Sequence, residues 1–186
     1  MRLSACARLS LSPLTGHWFR ALSLRHWNTR LSTVQSTIHS SRFSDASVAV
    51  PSHRMLYLGE NHQVAIYEVG ALLGDPNDPI ANPRGSWALM SIQVTLHHIA
   101  DISDPVQQKI ISTNHQELTG SWINSPKPVP THQLGAALHA VTDLEGFLYP
   151  SAKSKSRNLA IFMNKLGSGS SISFFNELMN RSEPVT

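Results

Sequence analysis

With a single cysteine, Cys6, this 186-residue chain can close no disulfide within itself and build no thiolate metal cluster. Cysteine used so sparingly fits a reducing compartment, and a cytoplasmic location is expected. Acidic residues are missing before Asp45, only 15% of the chain is charged, and the formal net charge is just +3. So small a charge, carried by an arginine-biased N-terminal third, is not the Lys/Arg cluster with interleaved aromatics that nucleic-acid binding leaves. Direct nucleic-acid binding is therefore not expected. No apolar run approaches the roughly 20 residues of a membrane helix, which argues against a membrane partner.

Other chemistries fail on spacing. Ten histidines invite a metal hypothesis, yet apart from His97 and His98 no two lie closer than seven residues. Neighbours on a strand point to opposite faces, so that pair chelates poorly and no metal is expected. Gly167-Ser168-Gly169 has two glycines but lacks the lysine of a phosphate-binding loop and leads into a strand-like segment. There is no nucleophile-elbow pattern, and no internal repeat or long low-complexity tract.

What is present suits one domain with a real core. Residues 1–15 are rich in Arg and Ser and read as a leader or a disordered segment, with an organellar transit peptide as the alternative. Residues 16–186 form the domain. Strands are expected at His17–Leu22, Met55–Leu58, Ser86–Ile99, Gly146–Tyr149, Asn158–Met163 and Ser171–Phe175. Helices are expected from His62 to about Leu73 with Asn61 as N-cap, from Pro105, around Gln116–Trp122, and after Thr131. Residues 23–52 read as long loops and short irregular pieces, and Pro126–Pro130 as a proline-rich loop. Without a regular βαβα rhythm, the expected fold class is α+β: a mixed, twisted sheet with flanking helices.

One side chain stands out physically. On a helix running to Leu73, Glu68 shares a stripe with Val64, Ala65, Ala71 and Leu72. A carboxylate on the packed face is costly unless it is paired or serves a site. Arg20, after Trp18 and Phe19, and Arg42, before Phe43, are the candidate partners. Such settings fix a guanidinium fork for carboxylate or phosphate. A structural ion pair and a catalytic carboxylate are both compatible with this spacing.

A set of ordered fragments extends the reading. It contains Phe19-Arg20-Ala21, Ser41-Arg42-Phe43-Ser44, Leu56-Tyr57-Leu58-Gly59-Glu60 and Ala65-Ile66-Tyr67-Glu68-Val69. It continues with Glu117 to Trp122, Pro130 to Gly135, Glu145 to Ala152 and Asn158 to Phe162. In this order, from about residue 16 to about 175, the chain resembles the RES domain family. The resemblance implies an ADP-ribosyltransferase-like fold and a toxin of a bacterial toxin–antitoxin pair, with NAD as substrate. Its implied functional residues are Arg42, Tyr57, Glu68 and Ser151, with Arg20 as a further candidate for the NAD pocket. It implies cleavage of the nicotinamide–ribose bond with phosphate or water as acceptor. ADP-ribosyl transfer to a protein and an inactive binding module are the alternatives. The implied partner is an antitoxin with an Xre-type helix-turn-helix domain. The family's arginine motif often reads Gly-Gly-Arg-Trp/Phe-Asn, whereas here two serines precede Arg42 and Ser44 replaces the asparagine.

In the mechanism this implies, positive charge grows on the ribose carbon and ring oxygen as nicotinamide leaves. Glu68 would stabilise that charge, Arg42 would clamp the pyrophosphate, and Tyr57 and Ser151 would contact ribose, nicotinamide or phosphate. Nicotinamide departs neutral, so no general acid is required.

Overall fold

A computed structural model describes residues 2–46, 53–75, 77–123 and 129–186. Nine strands and five α-helices alternate irregularly along these segments, giving the expected α+β fold. In chain order they are α1 (Arg2–Cys6), β1 (Leu11–Ser23), β2 (Met55–Gly59), α2 (His62–Glu68), β3 (Leu72–Asp75), β4 (Asp78–Ala81) and β5 (Trp87–Asp101). Then follow α3 (Pro105–Ile110), α4 (His115–Thr119), α5 (Pro130–His139), β6 (Gly146–Pro150), β7 (Arg157–Phe162), β8 (Ser171–Asn176) and β9 (Arg181–Pro184).

Seven strands form one sheet in the order β1-β2-β7-β6-β5-β8-β9. β1 also pairs with β5 along nearly its whole length, from Leu11↔Ala100 to Ser23↔Trp87, so the sheet closes on itself. The closure is incomplete. β1 meets β2 at a single register pair, Phe19↔Gly59, and the two strands part there.

The inner strands carry near-continuous apolar sequence because both of their faces are covered. Alternation then sorts the side chains. Leu56, Leu58, Leu148, Leu159 and Ile161 join one core, with Trp18, Ile92 and Leu96. Met55, Phe147, Tyr149, Ala160 and Phe162 join a second core, with Phe43, Ile102, Ile111, Leu118, Leu134 and Leu138. Tyr57 packs against this second core.

Several expectations shift. Residues 2–15 are not irregular: they include α1 and the first five residues of β1, and Cys6 and Leu9 are buried in the second core. Between Gly16 and Ser23 the chain alternates, but a register shift between Ser12 and Leu14 hides the earlier part of the strand. Helix α2 stops at Glu68, with Gly70 at φ 70°, so Ala71 and Leu72 leave the helix. Leu72–Asp75 instead pairs with Asp78–Ala81 as an exposed ribbon. At the start of α5, Val129 is the cap residue and Thr131 lies inside the helix. Pro130 takes the first turn, where its fixed φ and missing N–H cost nothing. The expected proline-rich loop lies largely outside the described residues. No helix of the described residues is long and apolar enough to cross a membrane.

Candidate active site

The cleft opens where β1 and β2 part. It encloses about 230 Å³ and is walled by Phe19 and Ala21 of β1, Tyr57 to Gly59 of β2, Ala65 and Glu68 of α2, and Ser41, Arg42, Trp122, Tyr149 and Asn158. Register explains part of this wall. Gly59 lies opposite Asn158, and Asn158 lies opposite Tyr149, so one row crosses β2, β7 and β6 on a single face. Gly59 must lack a side chain there. A Cβ would sit 2.7 Å from the Ala65 backbone nitrogen, and its absence lets α2 lie directly on the sheet.

Helix α2 is set by its cap. The Asn61 side-chain oxygen accepts from the Val64 N–H at 3.0 Å, while its Nδ2 donates to Ser156 Oγ at 3.0 Å. The helix is thereby tied to the loop that carries Ser151. Its last residue, Glu68, projects to the cleft and is exposed, not packed on an apolar stripe as the longer helix would have required. Among the described residues no arginine pairs with it. Its Oε1 accepts from Ser151 Oγ at 2.9 Å and from Asn158 Nδ2 at 2.8 Å. Both donors are buried. Two neutral donors orient a carboxylate without neutralising it, whereas an ion pair would commit its charge.

Asn158 is itself held by its neighbour. The Arg157 guanidinium bonds Glu60 and Asp101, and the Arg157 N–H donates to Glu60 Oε2 at 2.9 Å. Burial acts against ionised Glu60, but the bonds from Arg157 outweigh it and hold the carboxyl below its ordinary value.

Across the cleft, Arg42 donates from Nη1 to the Leu118 and Gly120 carbonyls, at 3.0 and 2.7 Å. Its flanks are pinned. Phe43 is fully buried, edge-on to Phe147 and Tyr149 with centroids 4.9 and 4.8 Å away. Ser41 Oγ bonds the Tyr57 hydroxyl at 2.7 Å, and the Ser41 carbonyl accepts from His132 Nε2 of α5 at 2.8 Å. Gly135 lets α5 come this close, since a Cβ there would stand 1.9 Å from the Phe43 carbonyl oxygen. Neither Ser40 nor Ser41 sits at positive φ. The serines that replace the family's glycines therefore impose no backbone strain, and Ser41 contributes a hydroxyl.

Burial pushes the Tyr57 hydroxyl up to about 12, against the Ser41 bond, a backbone bond at Phe43 and the Arg42 charge. Burial also raises Tyr149, reinforced by Tyr57 and Glu68 and opposed by Arg42. Both phenols stay protonated near neutral pH, so neither is a base, and the Tyr57 hydroxyl donates to Met55 Sδ at 3.2 Å.

Of the five residues singled out from sequence, Arg42, Tyr57 and Glu68 line the cleft, and Ser151 touches it through Glu68. Arg20 does not belong. Phe19 and Ala21 point into the cleft, so Arg20 between them faces the other side of β1. Asn158, Tyr149, Ser41 and His132 were missed as site residues. Asn158 alternates with Ala160 and Phe162, which is a strand signal, and only the cross-strand register turns it into a Glu68 partner. Among the described residues no three His, Cys, Asp or Glu side chains gather as a metal would need.

These features define an α+β protein whose cleft sets an uncompensated carboxylate opposite a fixed guanidinium. The sequence model of the RES domain matches residues 17–172, and the chain belongs to the RES domain family. Its fold is similar to that of a chain in the crystal structure of the M. tuberculosis MbcT–MbcA toxin–antitoxin complex. The TM-score is 0.70 at 15% identity, covering 100% of this chain and 92% of that one. No curated protein matches the sequence.

Proposed function

We propose that this protein is a toxin-type enzyme that degrades NAD by breaking its nicotinamide–ribose bond, on an ADP-ribosyltransferase-like scaffold. The observation that carries the reading is Glu68: a carboxylate at a cleft, oriented by Ser151 and Asn158 and paired with no arginine among the described residues. As the bond lengthens, positive charge spreads over the ribose carbon and ring oxygen, and a pre-oriented carboxylate stabilises it without reorganising. Arg42, fixed by two carbonyls, presents the rest of its fork to the pyrophosphate. Tyr57 and Tyr149 donate to ribose or to the nicotinamide amide. At about 230 Å³ the cavity is smaller than the ~300–1,000 Å³ of pockets that enclose a whole ligand. It therefore takes the reacting end of the dinucleotide, and the adenosine half extends beyond its mouth.

The acceptor is inorganic phosphate or water. Because Glu68 is exposed, the acceptor side is open, and transfer of ADP-ribose to a protein is the second reading. The likeness to a toxin–antitoxin complex supports an antitoxin partner, and an Xre-type helix-turn-helix protein is the proposed one. Purified protein incubated with NAD releases nicotinamide, and Glu68→Gln reduces that release by orders of magnitude. Dependence of the product on added phosphate separates phosphorolysis from hydrolysis. Equal release by wild type and Glu68→Gln would remove the carboxylate from the mechanism. A folded protein that binds no NAD would be an inactive binding module.

A further inference from the structure

Three arginines of the N-terminal third, Arg20, Arg25 and Arg30, converge on one cavity. It encloses about 410 Å³ on the side of β1 away from the cleft, and its walls include Arg20, Arg25, Arg30, His26 and His39. No carboxylate is among its lining residues. We infer that this cavity is an anion site for a phosphoryl group carrying two or more negative charges, separate from the NAD cleft.

The case rests on what each cation touches. Arg20 donates to the Arg30 carbonyl at 2.7 Å and, more weakly, to the Ser32 carbonyl at 3.5 Å. Carbonyls aim a guanidinium but leave its charge uncompensated, and a partly buried cation without a counter-ion is costly. Burial accordingly pulls the Arg20 pKa down. Arg25 donates from Nε to His26 Nε2 at 3.0 Å, a contact that requires that ring nitrogen to be unprotonated and so adds no negative charge either. Arg30 differs: its Nη2 pairs with Glu183 at 2.8 Å, and its guanidinium lies 4.7 Å from the Trp27 ring centroid. Its Nε is buried with no hydrogen-bond partner among the described residues. Two guanidinium charges are thus unanswered in one concavity, beside a third whose orientation is fixed. An oxyanion with several charges and several acceptor oxygens satisfies this arrangement; one carboxylate does not. The site is not where a phosphate acceptor would attack NAD, because β1 stands between the two.

The probe is inorganic pyrophosphate, titrated calorimetrically at ionic strength held constant with chloride. Wild type gives saturable binding. Arg25→Ser, an exposed position whose loss leaves the melting temperature unchanged, weakens it about ten- to a hundredfold, the worth of charge-assisted hydrogen bonds. Arg20→Gln weakens it comparably, while Arg42→Gln, which removes only the cleft's own phosphate contact, leaves the Arg20- and Arg25-dependent binding in place. Absence of saturable binding overturns the inference. So does binding that survives Arg25→Ser and Arg20→Gln but disappears in Arg42→Gln, which would assign the anion to the cleft. None of these readouts depends on NAD turnover.

Discussion

Glu145→Gln tests whether a buried carboxylate, silent in the chemistry, holds the frame that supports the cleft. Glu145 is 1% exposed. Its Oε2 accepts from the His97 and His98 N–H groups, at 2.6 and 2.9 Å, and its Oε1 accepts from the Gly167 N–H at 2.6 Å. These bonds join the far end of β5 to the turn before β8. Glutamine keeps the shape but offers one oxygen. With that oxygen toward His97 and His98, the amide NH2 confronts the Gly167 N–H, and one buried donor loses its acceptor. Such a loss costs about 1–3 kcal/mol, or about 2–12 °C of melting temperature at the ~2–4 °C per kcal/mol of a chain this size. The pH dependence adds a second handle. Burial raises the Glu145 pKa, but the Ser170 side chain and the three backbone donors outweigh it, so the folded value lies below the ordinary one. A depressed carboxyl stabilises the fold fully above its unfolded pKa and loses that contribution as pH falls through the folded pKa. The gap between wild type and Glu145→Gln, read by thermal melts, is therefore widest at neutral pH and narrows in acid. A glutamine variant as stable as wild type at pH 7, or a gap independent of pH, would refute the reasoning.

Three further outcomes are expected. Gly135→Ala drives a methyl into the Phe43 carbonyl, 1.9 Å from the ideal Cβ, and destabilises by about 1–3 kcal/mol as overpacking does; an unshifted melt would mean that α5 can yield. Ser151→Ala and Asn158→Ala each slow nicotinamide release about ten- to a hundredfold. Since both side chains bond the same Glu68 oxygen, their double variant loses less than the product of the two, and strictly multiplicative losses would contradict that shared contact. Burial lowers His139 to about 4, helped by His53, whose ring centroid lies 4.1 Å away, and by Lys165, and opposed by Asn164. The unfolded chain binds this proton more readily between about pH 6.5 and 4, so stability falls with acidification across that window. His139→Leu flattens that limb of the pH–stability curve, and an unchanged slope would place the effect elsewhere.

The sequence reveals the inner strands well and the edges poorly, for one reason. β2, β6 and β7 are buried on both faces, and continuous apolar runs such as Gly146 to Tyr149 cannot be mistaken for loops. β1 begins at Leu11, but the shift between Ser12 and Leu14 breaks its alternation. The β3–β4 ribbon is exposed, and its Gly74 and Pro79 look like punctuation. The site divides similarly. Arg42 and Glu68 are visible as charges in apolar surroundings. Arg20 satisfies the same local criterion, yet strand alternation turns it to the opposite face. Asn158 and Tyr149 become functional only through the register of three strands, which no single segment encodes.

What separates Glu68 from Glu60 and Glu145 is the use of its oxygens. Glu60 is occupied by Arg157, and Glu145 by three backbone donors. Each is a structural joint, because both of its oxygens are already occupied by donors that cannot leave. Both protein donors to Glu68 converge on Oε1, which leaves Oε2 with no hydrogen-bond partner among the described residues. A carboxylate clamped by one oxygen and exposed at the other has its orientation fixed and its charge available. That combination is what stabilising a transient cation requires. An arginine at the position of Asn158 would keep the orientation and cancel the field, so the neutrality of the two donors matters as much as their geometry.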